Sequence, residues 1–518
     1  MISMIDRSVV PYAALVLSIL LFLHRFVSRS KVRHPPGPKS YPLIGNLLSI
    51  PSGPEHLAFM ELGKRLDSDI VRLNLFGQEL VVLNSAKAAI ETLEKRSAIY
   101  SDRIFPAMVS DPKLMDWSKA VSAARYGEQS RQYRRMLNEW LNVRAVAQFH
   151  NLQQQQIRLM LRRLLGATGS SQPYESVKNE FFYTMSSTMF QLAYGYELQG
   201  PEDPFFVQTR ELTHIAVVAA MYSNFFVNVF PALVYLPAWL PGMGWKKTAL
   251  KYRAFKEYAL RKPYEWTKSQ VASGKARPSI LGSFLRGHQL TSSMSQKEMD
   301  DKLEEVGFII YAGGTDTSSN SLVSFVAAMV MNPHVQQKAQ HEIDSVLGTG
   351  ALPEISDKER LPYINCLIKE LFRWYPALPI ALPHVCYADD VYRGYEIQKG
   401  TTMIGNVWAI TRDEREYKDP EVFNPDRYLD PNVPMAPVFG WGRRKCPGLH
   451  FAEDSLFLAI TSLLATFTFS KRKGPNGEEI TPKIEPGPNV VTLSPKEFEF
   501  DFKPRSDEHR QLILEITD

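Results

Sequence analysis

The chain has 518 residues, 44% of them hydrophobic and 22% charged, with a net charge of +5, a balance typical of a folded globular protein. No long basic run points to nucleic acid as a partner. Three cysteines, Cys366, Cys386 and Cys446, are too few and of the wrong parity for a disulfide framework, and they point to a reducing compartment.

Val9 to Leu23 is apolar except for Ser18, and His24, Arg25, Arg29, Lys31 and Arg33 follow it. A helix over this run reaches about 22 Å, short of the roughly 30 Å hydrocarbon core. Extension to Val27 closes the gap if Arg25 snorkels to the interface. A cleaved signal peptide has an apolar region of similar length, but no small-residue cleavage site follows and the basic cluster lies on the wrong side. Positive flanks stay cytoplasmic. Residues 1–34 are therefore expected to be a signal-anchor helix with its basic flank, and residues 35–518 a single body facing the cytosol. Pro35-Pro36-Gly37-Pro38 reads as a stiff spacer between the two.

A helix around Glu55 to Arg65 and alternating strands over Ile70 to Leu75 and Glu79 to Leu83 come next, with a hairpin turn at Gly77-Gln78. Residues Ser101 to Ala124 form a long connection bearing Ile104, Phe105, Met108, Val109, Leu114, Met115 and Trp117; it reads either as a functional loop or as one tucked onto the core. The following helix carries Arg131, Arg134 and Arg135, and a solvated basic face is its plain reading. Ile215 to Gly244 holds no charge and has the length of a membrane span. Pro231, Pro237 and Pro241 interrupt it, so two short amphipathic pieces are expected instead.

Ser295-Gln296-Lys297-Glu298 is a capping-box sequence, and a helical pattern runs from it to Met331, where Asn332-Pro333 stops it. At its middle, Ala312-Gly313-Gly314-Thr315-Asp316-Thr317-Ser318 is poor helix and predicts a kink, or else close packing through small residues. Asp357 to Tyr375 reads as a helix in which Glu370 and Arg373 share one face among apolar neighbours, a buried pair that needs further hydrogen bonds. Pro376 to Pro383 is apolar, and His384 follows. Phe423-Asn424-Pro425-Asp426-Arg427 precedes Phe439-Gly440-Trp441-Gly442-Arg443-Arg444-Lys445-Cys446-Pro447-Gly448. There, adjacent cations and a following helix N-terminus are expected to lower the thiol pKa, which favours the thiolate that binds metal. A lone cysteine is otherwise a small buried hydrophobe. Leu449 to Phe467 is an apolar core helix, and Asn489 to Phe502 a strand-rich tail with Val490 to Leu493 as a candidate pocket rim.

The spacing Phe439, Gly442, Arg444, Cys446, Gly448 resembles the haem-binding loop of the cytochrome P-450 superfamily, microsomal and fungal in type. Gly313 to Ser318, Glu370-x-x-Arg373 and Phe423 to Arg427 resemble the other motifs of that family, in the same order. The resemblance implies a mainly α-helical fold with a small β region and an N-terminal membrane anchor. It implies haem b (iron protoporphyrin IX) with Cys446 as axial ligand, and Phe439, Gly442, Arg444 and Gly448 as cofactor-binding residues of its loop, Arg444 facing the haem. Arg134 is implied as a propionate partner, although Ser130 stands where relatives often have tryptophan. His384 is another, where Val385 replaces a usual arginine. Thr317 is implied to bond the distal oxygen and Asp316 to relay protons, with the turn around them widened. Glu370, Arg373 and Arg427 would fasten the loop.

The implied reaction places one atom of dioxygen in a lipophilic molecule, in secondary metabolism such as that of terpenoids. Electrons would come from NADPH through a membrane-bound flavoprotein reductase at the endoplasmic reticulum, docking on Arg131, Arg135, Arg443 and Lys445. Ile215 to Gly244 would dip into the membrane and gate entry. Two other classes stay open: a haem-thiolate isomerase, dehydratase or peroxygenase that needs no reductase, and a membrane-tethered haem sensor or carrier.

Overall fold

The computed structural model describes residues 33–222, 224–487 and 491–516. The anchor expected within residues 1–34 falls almost wholly outside them. Among the described residues no helix is long and apolar enough to cross a membrane.

The fold is mainly helical with small sheets at its margin. Its principal helices are α1 (Glu55–Arg65), α2 (Glu128–Leu141), α3 (His150–Leu165), α4 (Tyr174–Tyr194), α5 (Pro204–Ala220), α6 (Trp245–Ala272), α7 (Gln296–Met331), α8 (Pro333–Leu347), α9 (Pro362–Trp374) and α10 (Leu449–Thr466). The helix α7 crosses the molecule. Its second half is buried on nearly every side from Leu322 to Val330, packed against α4, α9 and α10 in the largest apolar cluster. Its first half joins a second cluster with α2 and α4, and Phe308 joins a third with α5, α6 and the 101–124 connection.

The ends of α7 are where the sequence puts them. Ser295 Oγ accepts from the Glu298 amide at 3.2 Å, and Pro333 cannot continue the ladder beyond Asn332. The Glu298 carboxylate pairs with Lys302, so the second half of the capping box does not form. Helical bonding runs unbroken through residues 312–318, so the poor helix formers do not interrupt the ladder. Burial on both flanks outweighs a local propensity deficit of about 1 kcal/mol per glycine.

The main sheet has the order β1 (Ile70–Leu75), β2 (Gln78–Leu83), β6 (Thr402–Gly405), β3 (His384–Val385), with the hairpin β4 (Asp390–Tyr392) and β5 (Tyr395–Ile397) beside it. The β1–β2 turn is Phe76-Gly77, both at positive φ, and Gln78 pairs with Leu75. A two-residue turn of this hand matches strand twist, which moves it one place from the expected Gly77-Gln78. Pro36 is also no free spacer: its carbonyl takes the Arg72 amide at 2.8 Å, and the prolines lie along β1.

Asp357 to Tyr375 is not one helix. A 3-10 turn over Ile355–Arg360 ends at Leu361, because Pro362 disfavours helical backbone before it and starts α9 afresh. The helix α10 ends one residue early, as Phe467 opens β7 (Phe467–Ser470), which pairs with β8 (Asp501–Pro504). Besides β8, only an isolated bridge, Pro486 to Pro495, forms near the expected strand-rich tail; residues 488–490 lie outside the described set, and Leu493 is buried. Between Ile215 and Gly244, α5 ends at Ala220, and short turns over Phe226–Val229 and Pro231–Tyr235 follow, consistent with prolines ending each piece.

Candidate functional site

The loop before α10 is shaped by two positive-φ glycines, Gly440 and Gly442. Gly442 has a second reason to lack a side chain: a Cβ there would meet the Leu93 carbonyl at 2.5 Å. The Cys446 amide donates to the Phe439 carbonyl at 2.8 Å, closing the loop so that the thiol stands at its tip. Phe439 seats its ring edge-on to Phe372 of α9 at 5.5 Å. Gly448 is the residue just before α10, and Sγ of Cys446 lies 3.8 Å from where its Cβ would be.

Cys446 is exposed although it lies deep among protein atoms, which is how a side chain on an internal chamber wall presents itself. Burial pushes its thiol pKa up; the Gly448 amide and the charge of Arg134 pull it back. The expected lowering by Arg443, Arg444 and Lys445 does not arise, because those side chains turn elsewhere. Arg443 lies over the Tyr126 ring, Lys445 is exposed, and Arg444 donates to the carbonyls of Ser101 (2.8 Å) and Ala124 (2.6 Å).

On α9, Glu370 and Arg373 are fully buried and joined by two bonds of 2.7 and 2.8 Å. Arg373 also donates to the carbonyls of Thr411, Pro420 and Val422. Glu370 takes further bonds from the Arg427 guanidinium (3.1 Å) and the Asn424 amide (2.8 Å). Arg427 binds the carbonyls of Lys418, Asp419 and Val422. Each charge is thus paired and hydrogen-bonded, the condition under which a buried ion pair is tolerated.

At the chamber's rim, Arg103 is buried, while Arg134 and Arg444 are half-buried. Burial and the charges of Arg444 and Arg134 hold Arg103 down to about 9, and burial holds Arg444 at about 10. The nearby Asp102 is already taken by Arg125, at 2.5 and 2.8 Å, and by the Tyr126 amide. Arg134 reaches the Lys445 carbonyl, and Arg103 the Pro383 carbonyl at 2.9 Å. His384, in β3, bonds the Tyr100 carbonyl at 2.6 Å; burial and the charge of Arg103 lower its pKa to about 3, so the ring is neutral. Arg103 carries no sequence signal: its partners lie 31, 280 and 341 residues away, and only folding assembles them.

On α7 the adjacent glycines do different things. A Cβ on Gly314 would strike Met189 Sδ of α4 at 2.3 Å, so Gly314 permits close helix packing. Gly313 has nothing within 4 Å and is exposed between the half-buried Ala312 and Gly314, so it borders open space. Thr317 Oγ1 donates to the Gly313 carbonyl at 2.7 Å. Burial alone raises Asp316 to about 6.

A roof closes over this face. Lys256 of α6 donates to the carbonyls of Met115 (3.1 Å) and Asp116 (2.6 Å), with the buried carboxyl of Glu305 beside it raised to about 7 by burial. Asn228 bridges the Met108 amide (2.8 Å) to the Ala219 carbonyl (2.9 Å). The connection over residues 101–124 is therefore tied to α6 and to the turns after α5, and its Met108, Val109, Leu114, Met115 and Trp117 are buried there.

These residues fit a haem. A flat, dianionic macrocycle would supply the negative charge that three mutually repelling guanidiniums lack, and Cys446 offers the soft donor such an iron takes.

Comparison with known proteins agrees. The Cytochrome P450 family model matches residues 35–502. Cytochrome P450 monooxygenase 226 of Postia placenta is 35% identical, over 97% of this chain and 94% of that one. Cytochrome P450 monooxygenase claR of Ampulloclitocybe clavipes is 34% identical over 93% and 89%, and cytochrome P450 monooxygenase COX2 of Coprinopsis cinerea 33% over 94% and 92%. The chain belongs to the cytochrome P450 family, in company with fungal members, and is an oxygen-incorporating oxidoreductase.

Proposed function

We propose that this chain places one oxygen atom of dioxygen in a lipophilic small molecule, with electrons from NADPH delivered by a membrane-bound flavoprotein reductase. The carrying observation is the exposed Cys446 thiol deep among protein atoms, with Arg134 acting on it and Arg103 and Arg444 gathered beside Arg134; the open position at Gly313 of α7 is read as the facing wall. Haem, when bound, supplies the oxygen chemistry. Cys446 would hold its iron through the thiolate, and Arg134, Arg444, Arg103 and neutral His384 would meet its propionates. Glu370, Arg373 and Arg427 hold the loop in place beneath. Asp316, poised near pH 6, is suited to give up and regain a proton, and Thr317 stands one residue on to orient the group receiving it.

The apolar roof of Met108, Val109, Trp117, Leu212, Ile215 and Phe308 favours a lipophilic substrate, and a terpenoid of secondary metabolism suits such walls. Arg131 and Arg443 gather around Tyr126, within 6.0 and 5.4 Å of its ring, and with Arg135 and Lys445 form an exposed basic face for an acidic reductase. Glu128 offsets part of that charge by pairing with both Arg131 and Arg135. Phe226, Tyr235 and Trp239 are 78%, 77% and 80% exposed, an aromatic patch suited to the interface of the endoplasmic reticulum membrane, with the segment before residue 35 as anchor.

The test is spectroscopic. Reduced, carbon monoxide-treated protein should show the red-shifted Soret band of thiolate ligation, and Cys446→Ser should lose it. Folded, haem-loaded protein without that band would overturn the reading. A screen of substrate-induced spectral shifts over terpenoid, polyketide and indole scaffolds then identifies the substrate class.

A further inference from the structure

Three hydroxyls buried between α4 and α7 complete no hydrogen bond: Ser186 Oγ, Tyr311 Oη and Thr315 Oγ1. Buried polar atoms are nearly always paired, and where protein atoms stand out of bonding geometry an ordered water is the usual partner. The helices run antiparallel, with Tyr194 against Gly307, Phe190 against Tyr311 and Met189 against Gly314. Continuing that register sets Thr315, one turn beyond Tyr311, opposite Ser186. The Ser186 hydroxyl is within reach of Tyr311 Oη, yet not aligned for a direct bond.

The cluster has two ends. The charge of Asp316 acts on Tyr311, and among the described residues no side chain bonds the Asp316 carboxyl. Arg210, on the exposed face of α5, acts on the same hydroxyl with opposite sign. The Tyr311 hydroxyl, which can both donate and accept, is thus within the field of a buried acid and of a surface cation.

We propose that Ser186, Tyr311 and Thr315 hold buried water that conducts protons from solvent near Arg210 to Asp316. This rests on the reading of Asp316 as the proton donor. Placing one oxygen atom in substrate and releasing the other as water consumes two electrons and two protons per dioxygen; the reductase supplies the electrons, and the protons must enter from solvent. Neutral Asp316 releases its proton on the chamber side. The carboxylate left behind takes one from the water bonded to Tyr311, and solvent restores the proton that water loses. No electron moves in this step. Tyr311, Ser186 and Thr315 are positioning residues, since they act through Asp316.

The test uses the full-length holoprotein and begins without substrate. The infrared band of the protonated Asp316 carboxyl is assigned by its loss in Asp316→Asn, and its hydrogen–deuterium exchange is timed. Tyr311→Phe, which keeps the ring on Phe190, and Ser186→Ala should shift that band and slow the exchange by roughly 100-fold, the lower end for loss of a positioned proton carrier. With reductase and NADPH alone, both variants should release a larger share of electrons as hydrogen peroxide. Unchanged band, exchange and peroxide share in both would overturn the proposal and leave the hydroxyls as packing. If Asp316→Asn itself leaves the peroxide share unchanged, the reading of Asp316 fails. If it raises that share while Tyr311→Phe and Ser186→Ala do not, only the conduit fails.

Discussion

The ion-pair network anchored on α9 and the roof over α7 solve opposite problems. In the first, Glu370 and Arg373 are buried and Arg427 half-buried, and every charge is answered by another charge or by a backbone carbonyl. In the second, the stretch from Met108 to Asp116 and the turns after α5 are tied by scattered side-chain bonds to backbone, those of Lys256, Arg253, Lys246 and Asn228, and their outer face shows Phe226, Tyr235 and Trp239 to solvent. The first arrangement tolerates no displacement, because any shift strands a buried ion. The second can open at the cost of a few hydrogen bonds, which suits a wall that must admit a substrate.

Mutations that exploit this contrast should differ in size and in kind. Glu370→Ala strands the Arg373 charge in the interior and should cost about 3–5 kcal/mol, read as loss of cooperative unfolding and of bound haem. If Glu370→Ala melts within a degree of the parent, the support is not what holds the loop.

Acid should attack the same side. His56, buried against Trp408 at 4.9 Å, is lowered to about 4 by burial and the charge of Arg412. Its folded pKa lies below its unfolded value of 6.5, so its contribution is complete above pH 6.5 and is lost as pH falls toward 4. The loss amounts to about 3 kcal/mol. His56→Leu should flatten that part of the stability profile; an unchanged slope would exclude His56 as its source.

In the roof, Lys256→Met should cost about 1–3 kcal/mol. The effect should be local: amide exchange quickens over Met108 to Trp117, while α9 keeps its protection. Uniform loss of protection across both regions would erase the distinction between them.

The two glycines of α7 sharpen the contrast further. Gly313→Ala fills open space and should raise helix stability by up to about 1 kcal/mol while hindering ligand entry, whereas Gly314→Ala must displace Met189 and should destabilise. The reverse order would mean that the chamber lies elsewhere. At the smallest scale, Trp239→Ser should change stability by no more than about 0.5 kcal/mol, yet weaken cosedimentation with phosphatidylcholine vesicles. Equal binding by both proteins would remove that patch from the membrane reading.

The long helix from Gln296 to Met331 was legible in the chain, since its cap and its stop are local, and so was the turn-rich loop before α10, whose glycines and cysteine lie within ten residues. The chain also pointed to Glu370 and Arg373 as a buried pair, because three residues on a helix set them side by side. Where the cations turn depends on folding. Arg443, Arg444 and Lys445 adjoin Cys446 in the chain, yet Arg134, more than 300 residues earlier, is the charge that acts on its thiol. The same holds for Arg103 among its fellow guanidiniums, for Lys256 on the carbonyls of Met115 and Asp116, and for Ser186 facing Tyr311. Local backbone rules reach about one turn along the chain. Charges and hydrogen bonds act through space, and packing alone decides which of them meet.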